Sequence, residues 1–117
     1  MKPGDLLLAP LPQVDGRLKD RPVLLLCVTP PFDDRLVCGI STQLQNAVDG
    51  LDAILCPADG DFNQTGLKAA SVIRVTYLAL LPRSYFKGRI GAVSASRLKA
   101  IVASLVGFLS RACETSR

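Results

Sequence analysis

Short apolar runs separated by clusters of Pro, Gly, Asp and Asn fill most of the chain, and one helical stripe closes it. The runs over residues 5–9, 21–28, 36–40, 52–56, 71–81 and 87–93 predict six strands, the fifth rich in Val, Ile, Thr and Tyr. Behind Ser94, Leu98, Ile101, Val102, Leu105, Val106 and Leu109 recur at alternating spacings of 3 and 1, the period of one helix face. Ser94 is a suitable N-cap, and the stripe predicts a helix of about four turns over about 95–111. The linkers 29–35 and 82–86 are too short for a crossover of a dozen residues or more. The strands they join are therefore expected to be antiparallel neighbours. Residues 23–28 are apolar at every position, so both faces of that strand must be covered. A curled sheet would cover one face, and the terminal helix or a second subunit the other. The expectation is a mainly β fold, a five- to seven-stranded antiparallel barrel over about 4–93 with a C-terminal helix, assembling as a dimer.

A chain of 117 residues has room for one core, so residues 1–117 are expected to form a single domain. The longest apolar run has six residues, far below the roughly 20 that cross a bilayer. The start, Met1-Lys2-Pro3-Gly4-Asp5, interrupts any signal-peptide pattern, and a cytoplasmic location without membrane contact is expected. Histidine is absent, which excludes imidazole acid–base chemistry, Ser-His-Asp triads and His-ligated metals within this chain. Cys27, Cys38, Cys56 and Cys113 are widely spaced with no C-x-x-C pair, and read as core thiols; no metal or other cofactor is expected. Charge is unevenly spread. Residues 1–21, 22–66 and 67–117 carry +1, −5 and +8, together the chain's +4. Such asymmetry suits a polyanionic or acidic partner, and equally a solvated surface.

Two stretches could carry chemistry. Residues 10–20 are expected to form a long loop, and Arg17, Lys19 and Arg21 could converge at its end. Pro22 biases Arg21 toward an extended backbone, which suits bidentate contact with a phosphate. An Arg there could equally pair with a neighbouring Asp and cap the barrel end. Ser41 and Thr42 follow the third strand directly. Their hydroxyls can donate to a phosphoryl oxygen, although bonding to local backbone is the commoner use.

Taken in order, these pieces resemble the MazF/PemK family of toxin endoribonucleases. Lys2-Pro3-Gly4-Asp5 is similar to its K-x-G-D start, and Lys19-x-Arg21-Pro22 leads into a hydrophobic strand as in that family. A second strand ends in Ile40-Ser41-Thr42. Gly66-Leu67 with Ser71-Val72-Ile73-Arg74, and Ile90-Gly91 before Ser94 and the helix, complete a resemblance running from about residue 2 to 109. It implies a small SH3-like barrel, usually a homodimer, that cleaves single-stranded RNA without a metal and is held in check by an acidic antitoxin protein. It also implies catalytic roles for Arg21 and Ser41, with Arg17, Lys19, Thr42 and Arg74 binding RNA. The order Ser41-Thr42 reverses the family's common Thr-Ser but keeps both hydroxyls. Thr76 stands where some relatives carry an acidic residue used in proton transfer. The alternative is a non-catalytic module on the same scaffold, binding RNA or, as CcdB-type relatives do, a protein target. Asp20 is the nearest carboxylate in sequence to Arg21.

Overall fold

A computed structural model describes residues 1–115. The strands are β1 (Asp5–Pro12), β2 (Leu18–Thr29), β3 (Asp34–Ser41), β4 (Ala53–Leu55), β5 (Ser71–Leu81) and β6 (Gly88–Ala92), followed by helix α1 (Ala95–Thr115). They form one sheet in the order β4-β5-β3-β2-β1-β6, every pair antiparallel. The sheet curls into a half-barrel and buries apolar side chains on both faces. Leu24 and Leu26 of β2 join Ile40, Ile73, Val75, and Ile101 and Leu105 of α1. Val23 and Leu25, pointing the other way, join Leu7, Ala9, Leu11 and Val37, with Phe86 packed against them. This double covering accounts for the apolar positions Val23–Leu26, whereas Cys27 and Val28 at the end of the run are exposed.

Three expectations about the elements change, and so does the reading of all four cysteines as core thiols. Residues 10–20 are not a loop: β1 and β2 continue as a hairpin, with Pro10 opposite Asp20, Leu11 opposite Lys19 and Pro12 opposite Leu18. The Leu8 carbonyl accepts from the Lys87 N–H, so by alternation Pro10 and Pro12 turn their nitrogens to that same side. There β6 pairs only with residues 5–8, and no ladder donor is missed. The last strand, β6, lies beside β1 rather than its chain neighbour β5. The segment between them, with a 3-10 turn at Arg83–Tyr85, crosses one end of the half-barrel. The helix is longer than the apolar stripe suggests, reaching Thr115. Of the stripe, Ile101 and Leu105 are buried, whereas Val102, Val106 and Leu109 stay exposed. No helix among the described residues is long and apolar enough to cross a membrane.

Among the cysteines only Cys38 is buried, and burial pushes its thiol up to about 12. Cys27 is exposed at a place where β2 carries a bulge, the β2–β3 register shifting between Leu25 and Cys27.

Polar anchors tie the sheet edges to the rest. Asp5 is buried; desolvation pushes its carboxyl up, but the Lys2 N–H and the Arg89 guanidinium (3.1 Å) outweigh this and hold it below the usual range. Ser94 caps α1, its Oγ accepting from the Arg97 N–H at 3.2 Å. Arg97 donates through Nε (2.7 Å) and Nη2 (3.0 Å) to Asp61, binding the segment after β4 to the helix. The Arg97 bond brings the Asp61 carboxyl down to about 2. This link stabilises the fold above the ordinary value of 3.8 and is lost as pH falls through about 2. Asp61→Asn is expected to lower the urea midpoint at neutral pH and to flatten its decline between about pH 4 and 2.

Candidate functional site

On the face bearing Val23 and Val37, the β2–β3 register pairs Val23 with Gly39. Continued by two residues, it sets Arg21 opposite Ser41. On the other side of β3, Gly39 pairs with Arg74 of β5 and Ser41 with Val72. Gly39 has no side chain, so a hollow opens between Arg21, Ser41 and Arg74. It is a pocket of about 320 Å³, lined also by Gln13, Thr42 and Tyr77.

Arg21 is half-buried, and its Nη2 donates to Gln13 Oε1 at 2.9 Å. Gln13 is itself held at the hairpin turn, its N–H donating to the Arg17 carbonyl at 2.7 Å. Among the described residues Arg21 has no carboxylate partner, so the sequence alternative of an Arg–Asp cap is not what forms. Arg74 is likewise free of carboxylates there; its guanidinium carbon lies 5.5 Å from the centroid of the Tyr77 ring. Two guanidinium groups without counter-ions in one hollow favour an anion.

Ser41 Oγ accepts from the Gln43 N–H at 3.0 Å, the local backbone use anticipated from its place at a strand end. Acceptance leaves the hydroxyl hydrogen free to donate, so the two uses of this group are compatible. Thr42 is exposed at the pocket rim.

Other sequence candidates lie elsewhere. Arg17 sits at the exposed hairpin tip, 3.7 Å from Asp15. Lys19 is exposed on the same face of β2 as Arg21, about 7 Å further toward that tip. Neither lines the pocket, because the hairpin stays extended and does not fold its cations onto one point. Asp20 points to the opposite face and pairs with Lys87 at 3.1 Å. Thr76 is exposed. Among the described residues no cluster of three His, Cys, Asp or Glu side chains could hold a metal ion.

Gln13 and Tyr77 are site residues that the sequence reading missed. An isolated Gly within the β3 apolar run is the signal for Tyr77, since it marks a close approach to the strand. A Cβ on Gly39 would lie 2.8 Å from Tyr77 Cδ2. Gln13 carries no signal of its own, because its role depends on where the hairpin turns.

The family model of PemK-like, MazF-like toxins of type II toxin-antitoxin systems matches residues 2–109 of the chain. No curated protein sequence matches it significantly. Among solved structures it is similar to the Mycobacterium tuberculosis toxin MazF-mt6, with a TM-score of 0.66, 22% identity, and coverage of 91% of this chain and 96% of that one. An endoribonuclease in complex with its cognate antitoxin, from a mycobacterial species, matches with a TM-score of 0.67 and 14% identity over 94% of this chain and 95% of that one. Both similarities concern the fold.

Proposed function

The chain belongs to the PemK-like, MazF-like toxins of type II toxin-antitoxin systems, and from that premise we propose that it is a metal-independent endoribonuclease acting on single-stranded RNA in the cytoplasm. What carries the reading is that Arg21, Ser41, Thr42 and Arg74 share one pocket. RNA supplies its own nucleophile. The 2′-oxygen bonds to the adjacent phosphorus, the bond from phosphorus to the 5′-oxygen breaks, and the proton lost by the 2′-hydroxyl is balanced by one gained at the 5′-oxygen. The products are a 2′,3′-cyclic phosphate and a 5′-hydroxyl end.

The protein's task is to align the attack and to stabilise the extra charge on the five-coordinate phosphate. Arg21 offers a rigid fork of N–H donors braced by Pro22, and Ser41 adds an O–H donor from the facing strand. Gln13 holds the Arg21 fork in the free protein, and a phosphate oxygen takes that acceptor's place. Arg74 adds a second positive charge, and Thr42 a hydroxyl at the rim. Arg17 and Lys19 meet flanking phosphates along the hairpin, outside the pocket.

The antitoxin partner supplies acidic residues to the same cationic pocket, which fits the +8 of residues 67–117. The chain forms a homodimer in which exposed apolar residues of α1, among them Val102, Val106 and Leu109, are covered.

The test is purified protein with a long unstructured RNA in EDTA. Discrete fragments with 5′-hydroxyl ends are expected. Intact RNA that is nonetheless bound in a salt-sensitive manner would instead indicate the non-catalytic module.

A further inference from the structure

The strand β5 departs from its neighbour at one place. Cys38 of β3 faces Leu78, but the next residue, Gly39, faces Arg74, so Val75, Thr76 and Tyr77 stand outside the ladder. This three-residue bulge is anchored from within. Val75 is fully buried in the core shared with α1, and its N–H donates to Asp52 Oδ1 at 3.1 Å. The other Asp52 oxygen accepts from the Val48 N–H at 3.0 Å, which holds the carboxylate in place. With Val75 inward, Thr76 is left to solvent and Tyr77 is turned onto the pocket face.

There the ring rests against Gly39, where any side chain would collide with it. Its hydroxyl donates to the Pro12 carbonyl at 3.4 Å, across the mouth of the pocket. The Arg74 guanidinium stands over the ring. A bulge, a glycine and an aspartate thus combine to keep one aromatic ring beside Arg21 and Ser41. Nothing in the phosphate chemistry needs an aromatic group. An unpaired nucleobase does: bases of single strands are taken up by stacking on aromatic rings and on Arg guanidinium planes.

We propose that Tyr77 is a specificity-determining residue, its ring and the Arg74 guanidinium together forming the surface that stacks the nucleobase next to the scissile phosphate. The inference rests on reading the pocket as an RNA site. It adds a base contact to a site otherwise made of phosphate contacts, which position RNA but carry no sequence information.

The chain has no tryptophan and two tyrosines, so Tyr85→Phe protein reports on Tyr77 alone. The experiment titrates that protein with short 2′-O-methyl oligonucleotides, which cannot be cleaved, and follows tyrosine fluorescence. Stacking is expected to quench it, and an abasic residue at one position is expected to abolish the quenching. In parallel, Tyr77→Leu is expected to weaken binding by about 5- to 150-fold, with an unchanged salt slope because no phosphate contact is lost. Tyr77→Phe keeps the ring and recovers most of that loss. With cleavable RNA, Tyr77→Leu is expected to flatten the preference among sites more than it slows cleavage at poor ones.

Binding without quenching, or a Tyr77→Leu protein with native affinity and native site preference, overturns the proposal and leaves the nuclease reading intact. Quenching with no cleavage by the wild type overturns the nuclease reading and supports the base contact. Absence of both binding and cleavage overturns both.

Discussion

Arg21→Ala is expected to slow cleavage of unpaired RNA by at least about 10²- to 10³-fold, the usual consequence of removing one donor from a transition-state anion site. The loss should appear mainly in kcat, because the charge that Arg21 meets grows as the phosphate becomes five-coordinate. Arg21→Lys should recover little. An ammonium keeps the charge but cannot present two parallel N–H bonds to two phosphate oxygens. The fold should survive both changes. Arg21 is only half-buried and makes one hydrogen bond, to Gln13 Oε1, worth no more than about 1.5–3 kcal/mol. Unfolding midpoints measured beside single-turnover rates separate the two effects. A variant that is folded and still cuts at the native rate in EDTA would remove Arg21 from the mechanism.

The readable part of this site comes from local pattern. Strand alternation is short-ranged, so the apolar runs of β2 and β3 announce themselves, and Arg21 and Ser41 can be recognised as the residues standing at their ends. The short connection between those strands makes them antiparallel, and pairing follows. What local pattern does not contain is the geometry that depends on distant partners. Pro10 and Pro12 look like loop residues and become strand residues because β6 stops short of them. β6 itself pairs with β1, about eighty positions away in sequence, since the segment after β5 crosses the half-barrel. The bulge in β5 has no strong turn residue to mark it; it exists because Asp52, on the approach to β4, captures the Val75 N–H. That capture decides that Tyr77, and not Thr76, looks into the pocket. The acidic position of some relatives is thus vacant in two senses: the residue differs, and its side chain is directed to solvent.

Gly91→Ala is expected to be strongly destabilising although it adds a single methyl group. Gly91 lies in β6 opposite Leu6, and a Cβ there would fall on backbone atoms of Thr65 and Gln64. Those residues belong to the 3-10 turn Asn63–Thr65, which is fixed by the Thr65 hydroxyl donating to the Phe62 carbonyl at 2.6 Å. Gly66 ends the turn at φ 75°, again with the Ile90 backbone against it. Two glycines therefore let two backbones touch, and this contact joins the segment after β4, one sheet edge, to β6, the other edge. Because the obstructing atoms are main chain on both sides, no rotamer change relieves the clash. The cost should reach the upper end of overpacking penalties, about 3 kcal/mol, or a fall of about 10–20 °C in Tm. Gly60→Ala in the same segment has open space and ordinary backbone angles, and should stay within about 0.5 kcal/mol of the native protein. The pocket is built from β2, β3, β5 and the far end of β1 with its hairpin turn, beyond residues 5–8 that β6 pairs with, so the folded fraction of Gly91→Ala protein should cut RNA at the native rate per molecule. Calorimetry of the two variants, with cleavage measured well below the lower Tm, distinguishes loss of the edge-to-edge contact from any effect on the site. A Gly91→Ala protein as stable as Gly60→Ala would mean that the turn and β6 do not meet as described.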